Sequence, residues 1–194
     1  MERRQTDGAE CTLEQNVEMI LGAGYDGISA SFTDAGAARR IAALVKPHGK
    51  VLEGQCFPRT IDELEPALEL LGDLSHFLVG REFATPISEE NHAYMHRVID
   101  NCWAFHGRVA SREQVQIEIS FPHHKMWLEI FLEWWEYGFK SWRRRAKADD
   151  TLSFVCELGP KPYAITGRDG NDTTDRWQEA LLMRDLVRKL WNAL

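Results

Sequence analysis

The sequence predicts an α/β protein with a parallel sheet, and three observations carry that expectation. Short apolar segments with small or polar residues in alternation recur along the chain. Each is followed by a stretch of helical spacing, and capping residues, glycines or prolines stand at the joins. With 194 residues, 44% hydrophobic and 27% charged, the chain can build a sizeable core, and a single domain over residues 1–194 is expected.

Taken in order, Thr12 and Gln15 have the spacing of a capping box, and Leu13, Val17 and Ile20 follow at helical intervals until Gly22 and Gly24 stop the helix, predicted over 12–23. "YDGISASF" (25–32) alternates as a short buried strand, and Asp34 is placed to cap "AGAARRIAALVK", which Pro47 ends. "KVLEGQCF" (50–57) is the next strand. Thr60 and Glu63 then open a helix containing Leu64, Leu68 and Leu71, with a slight kink expected at Pro66. This helix runs abruptly into "DLSH" (73–76). Residues 70–74 are short and apolar enough to be read instead as a strand that ends the helix early.

Ser88 is the expected N-cap of a helix to about residue 101. "CWAFHGRVA" (102–110) is a strand with Trp103, Phe105 and Val109 on one face and Ala104, His106 and Arg108 on the other. A long amphipathic helix is expected over 123–146, with Trp127, Phe131, Trp134 and Trp142 near one stripe. "TLSFVCELG" (151–159) is the last strand, and a final helix over 173–193 should bury Trp177, Leu181, Val187 and Trp191. Roughly four good strands and six helices amount to only part of a (β/α)8 barrel, whose usual length is about 250 residues. The expected architecture is therefore an incomplete TIM-type barrel or an open parallel sheet of about five strands with outer helices.

Composition narrows the partners. A net charge of −7, with no basic stripe beyond "WRRRAK" (142–147), disfavours nucleic acid, and that run reads as a solvated helix end. No apolar run approaches the roughly 20 residues that cross a bilayer, so no membrane insertion is expected. Four dispersed cysteines without a CxxC and a start lacking an apolar signal core point to a cytoplasmic chain with reduced thiols.

Chemistry-bearing residues gather where strands end. Asp73 and His76 in "DLSH", His106 and Arg108 in "HGR", and Glu157 in "CELG" all fall at predicted C-terminal strand ends, where barrel loops surround one shared mouth. Each also has a plain structural role open to it: Asp73 as a cap, His106 as a hydrogen-bonded strand residue, Glu157 as a solvated acid. Together, carboxylates and imidazole suit a divalent metal, with imidazole favouring Mn, Co, Zn or Fe over Ca, and an adjacent Arg suits a polyhydroxy or phosphorylated substrate. Other pairs carry less. His92 and His96 have i, i+4 spacing, but "HAYMH" lacks the Glu of HExxH, so a surface or packing role is expected. His123 and His124 read as part of a helix N-terminal turn, and "GAGYDG" lies in the wrong order, helix before strand, for a phosphate loop.

"GYDGISASF", "EGQCFPRTIDELEP", "DLSHFLVGREF", "AFHGRVASREQVQIEISFP" and "ELGPKPYAITGRDG" resemble the sugar phosphate isomerase/epimerase family with a xylose isomerase-like barrel. The likeness runs over nearly the whole chain and has its specific motifs in the last two-thirds. It implies a TIM barrel holding one divalent metal (Mn, Co, Mg or Zn) at strand ends. By motif position Asp73, His106 and Glu157 correspond to metal ligands, and His76 and Arg108 to substrate-facing neighbours. It further implies proton transfer through an ene-diolate on a small sugar or sugar phosphate, with Glu157 or His76 moving the proton.

Against that pattern, the chain reads as lacking the first strand and the middle strands around residues 70–72, among them the strand that bears a fourth ligand, a Glu. Two functions follow from the resemblance. One is a metal-dependent isomerase or epimerase. The other is a truncated, catalytically inactive relative acting as a structural or interaction protein, in which the Trp-rich helix over 127–142 could serve as a surface, although a core role packed on the sheet is the favoured reading of that stripe. Unpaired sheet edges also make a homodimer a candidate assembly.

Overall fold

Parallel strand pairing organises the chain in a computed structural model that describes residues 11–31, 34–55 and 70–194. Its contacts divide into two units, residues 1–68 and 69–194.

In the first unit, helix α1 (Leu13–Gly22) starts from a complete capping box: the Thr12 hydroxyl accepts the Gln15 amide N–H at 3.2 Å, and the Gln15 side chain accepts the Thr12 N–H at 2.8 Å. Strand β1 (Gly27–Ser31) leads to α2 (Ala35–Val45), whose Asp34 cap accepts the Gly36 and Ala37 amides at 2.6 and 2.9 Å. A 3₁₀ turn containing Pro47 then returns the chain to β2 (Val51–Gln55), parallel to β1 from Gly27↔Val51 to Ser31↔Gln55. Val17, Ile41 and Val45 are buried here, with Leu13, Leu21, Ile28, Ala30, Leu44 and Leu52 packed around them. The helix expected from Thr60 and Glu63, with its kink at Pro66, lies outside the described residues.

The second unit holds a three-stranded parallel sheet in the order β3 (Leu70–Gly72), β4 (Cys102–His106), β5 (Ser153–Val155). Leu71 is thus in a strand and not on a helix face. Backbone pairing with β4, Leu71↔Ala104 and Gly72↔Phe105, prevails over the local helical spacing. Helix α3 (Leu74–Gly80) follows at once, an element absent from the sequence-based expectation because seven residues carry too little periodicity to register. Next come α4 (Glu89–Ile99), with Ser88 accepting the Asn91 N–H at 3.2 Å, α5 (Lys125–Arg145) and α6 (Arg176–Asn192), capped by Asp175.

The Trp-rich stripe of α5 is core. Phe131, Trp134, Trp135, Phe139 and Trp142 are buried, the first four essentially completely. Each such aromatic removes about 150–250 Å² from water, worth about 4–6 kcal/mol before chain entropy is charged. Close approach to the sheet needs Gly138, where a Cβ would lie 2.6 Å from Phe105 Cζ. On α6 the buried apolar positions are Trp177, Ala180, Met183 and Val187, while Leu181 and Trp191 are only partly covered. The arginines after Trp142 are not merely solvated: exposed Arg143 stacks over Trp191 at 3.9 Å, and half-buried Arg145 lies over Trp103 at 4.9 Å and donates to the Cys102 carbonyl at 2.8 Å.

Among the described residues, each strand pairs in parallel within its own sheet, one of two strands and one of three, and neither sheet is closed into a barrel. None of the described helices is long and apolar enough to cross a membrane, and Cys11, Cys102 and Cys156 form no disulfide.

Candidate metal and substrate centre at the strand ends

Because β3, β4 and β5 run parallel, their C-terminal ends lie on one side, and the residues that end them meet there. Asp73 follows β3 directly, His106 is the last residue of β4, and Glu157 lies two residues beyond β5. The ladder continues past the formal strand ends, with Gly107 N–H donating to Val155 O at 2.7 Å and Glu157 N–H to Gly107 O at 3.2 Å. That pairing sets the Glu157 side chain beside those of His106 and Arg108.

Gly107 itself is required by packing. A Cβ there would come within 2.9 Å of Phe154 Cζ and 3.2 Å of Met183 Cγ. A Gly107→Ala chain is expected to lose about 1–3 kcal/mol through overpacking, read as a lower urea midpoint, because the Phe154 ring would have to shift against Trp135 and Phe139 to clear the methyl.

Asp73 holds two roles at once, one per oxygen. Its Oδ1 caps α3, accepting the Ser75 N–H at 3.2 Å and the Ser75 hydroxyl at 2.5 Å, which leaves Oδ2 facing the site. The cap role weighed from sequence is therefore realised, and the second oxygen turns toward His106 and Arg108. Arg108, nearly fully buried, fans its guanidinium across the centre. It donates to Asp73 Oδ2, to Glu157 Oε1 at 2.9 Å and to Ser75 Oγ at 3.0 Å, and its Nη2 lies 2.8 Å from His76 Nε2. His76 stands at the rim with its side chain 61% exposed.

His106 completes the set: Nδ1 contacts Glu157 Oε2 and lies 3.5 Å from Asp73 Oδ2. These are ion-pair contacts off the line of a proper hydrogen bond, so both ring nitrogens remain buried without a hydrogen-bond partner among the described residues. A buried imidazole nitrogen aimed at two carboxylates is a place for a cation, whether a proton or a metal ion.

The electrostatics follow. Burial pushes Asp73 up, but His106, Ser75 and Arg108 outweigh it and bring its pKa down to about 2. Burial likewise opposes a charge on His106, yet the Asp73 and Glu157 carboxylates raise it to about 9. Glu157 is lowered by its contact with His106, against a burial effect, with help from Arg108.

All five residues singled out in the sequence thus converge. Asp73, His106 and Glu157 each offer a ligand atom within 4.8 Å of one another, so the trio fits a divalent ion. Two contributors went unread. Ser75, fully buried, ties Asp73 to Arg108; the signal for it was its place two residues after a capping Asp. Gln116, also buried, makes two 2.8 Å hydrogen bonds with the Gly159 backbone and so holds the loop that carries Glu157; nothing local marked it. His124 lies elsewhere, its Nδ1 2.7 Å from the Glu118 carbonyl oxygen at the start of α5.

Fold and site together define an α/β protein with a carboxylate–imidazole–guanidinium centre at the C-terminal ends of parallel strands. Comparison of the chain with family models, curated proteins and solved structures finds no match.

Proposed function

We propose that the chain is a divalent-metal-dependent isomerase or epimerase acting on a small sugar or sugar phosphate, built on part of a xylose isomerase-like (β/α) barrel. The observation that carries this reading is the convergence of Asp73 Oδ2, His106 Nδ1 and Glu157 Oε2 from three adjacent parallel strands, with Arg108 beside them. Parallel βα units with their chemistry at the C-terminal strand ends support the barrel assignment, since barrel active sites occupy that face. The motifs around these residues are the ones that resemble the family.

In this reading Asp73, His106 and Glu157 hold the ion, Mn, Co, Mg or Zn, which when bound supplies Lewis-acid polarisation of a substrate carbonyl or hydroxyl. Arg108, now engaged with Asp73, Glu157, Ser75 and His76, would turn its planar fork to sugar hydroxyls or phosphate as the carboxylates turn to the ion. His76, exposed at the rim, moves a proton between adjacent substrate carbons by way of an ene-diolate once its Nε2 is released from Arg108. Both Glu157 oxygens are engaged by Arg108 and His106, so Glu157 takes over the proton only when those contacts open.

Calorimetric titration with Mn²⁺ and Co²⁺ tests the proposal on the parent and an Asp73→Ala, His106→Ala double variant, with folding of both checked by circular dichroism. One equivalent is expected to disappear in the double variant, and the metal-loaded parent is expected to interconvert a ketose or its phosphate, followed by proton–deuterium exchange at the reacting carbon. Equal metal uptake by both chains overturns the proposal. Uptake without exchange across a panel of sugars and sugar phosphates assigns the chain to the inactive alternative.

A further inference from the structure

The packing of α4 on α5 brings a second set of ligating side chains together, away from the strand-end centre. His92 and His96 share one face of α4, and Glu133 meets them from α5. One ligand atom from each lies within 4.8 Å of the others, and His92 Nδ1 is 3.9 Å from Glu133 Oε1. The His96 ring is held flat against Tyr137, centroids 3.8 Å apart and planes 8° from parallel, and its Nε2 is buried with no hydrogen-bond partner among the described residues. The His92 ring stands edge-on to Trp134, whose indole N–H donates to Nδ1 at 3.2 Å. An indole N–H only donates, so Nδ1 carries a lone pair there.

We propose that His92, His96 and Glu133 form a binding site for a first-row transition-metal ion, zinc foremost, that clasps α4 to α5. Two imidazoles and one carboxylate are a zinc donor set, and the imidazoles select against calcium and magnesium. Packing alone accounts for the rings' stacking partners, but it requires neither an enclosed, unsatisfied Nε2 nor an acidic side chain from the facing helix at the same point. Between the two histidines the sequence reads Ala93, Tyr94, Met95, so the position that bears the general base in an H-E-x-x-H helix holds a methyl group. The site therefore holds a metal without the base that would activate a water molecule, and its role is to fasten two helices.

The test is zinc titration of the full chain and of His92→Gln and Glu133→Gln variants, followed by calorimetry and tryptophan emission, with circular dichroism confirming the fold. Glu133 is exposed, so its variant keeps the parent fold. Each variant is expected to take up one zinc equivalent fewer than the parent, or to bind that equivalent at least tenfold more weakly. The parent's tryptophan emission should shift on binding as Trp134 loses its acceptor. A His106→Gln chain should retain this equivalent, which separates it from the strand-end centre. Identical stoichiometry and affinity in the parent and both variants would overturn the proposal.

Discussion

Replacing Arg108 with alanine is expected to cost about 3 kcal/mol of folding stability, the lower end of what removing one partner of a buried ion pair costs. The guanidinium is almost fully enclosed and is shared by Asp73, Glu157, Ser75 and His76. Without it two carboxylates face each other with His106 as their remaining cation. The lower end applies because Glu157 is about one-third exposed and water compensates part of its charge. Arg108→Lys keeps the charge but loses the fork, and should recover less than half of the deficit. Urea denaturation in the presence of a chelator measures both. Adding Mn²⁺ or Co²⁺ should restore stability to the alanine variant more than to the parent, since a divalent ion would then supply the missing positive charge; equal effects would show that the carboxylates are not available to it.

Above about pH 6.5, metal-free stability and metal affinity are expected to move in opposite directions with pH. His106 is raised from 6.5 to about 9, so its contribution is fully present below 6.5 and is lost as pH rises through about 9. Asp73 is lowered from 3.8 to about 2, so its contribution is fully present above 3.8 and is lost as pH falls through about 2. Stability from this cluster is therefore greatest between about 4 and 6.5. It amounts to about 2–3 kcal/mol, and the two shifts describe one ion-pair network that counts once. A metal ion at Asp73, His106 and Glu157 instead requires the imidazole without its proton, so apparent affinity should climb about tenfold per pH unit up to about 9. Calorimetry near pH 7 in two buffers of different ionisation enthalpy should show close to one proton released per ion bound. Release of no proton would remove His106 from the ligand set.

Local chemistry was legible from the chain alone. The caps Thr12, Asp34 and Ser88 act within three residues of themselves, and the Trp stripe of α5 announces its buried face by helical spacing. The strand-end positions of Asp73, His106 and Glu157 also follow from local pattern, because alternation marks a strand and the polar residue that closes it. Residues 70–80 carried two competing local signals, a helical spacing and a short apolar strand over 70–74, and the structure forms the strand at residues 70–72. There the helical spacing around Leu71 yielded to a parallel pairing with residues more than 30 positions away, and α3 was too short to leave a periodic trace.

What the sequence determined by itself, then, was an α/β chain of capped helices and short parallel strands carrying ionisable groups at their C-terminal ends. Only the tertiary structure decided that Arg108 binds both carboxylates, that Ser75 joins Asp73 to Arg108, that Gln116 secures the Glu157 loop and that Glu133 reaches His92 and His96. The division has a physical cause. Caps and periodicity are interactions within one or two helical turns, written in neighbouring letters, whereas these contacts join residues 33 to 49 positions apart, or from facing helices, and exist only once sheet register and helix packing have set the backbones side by side.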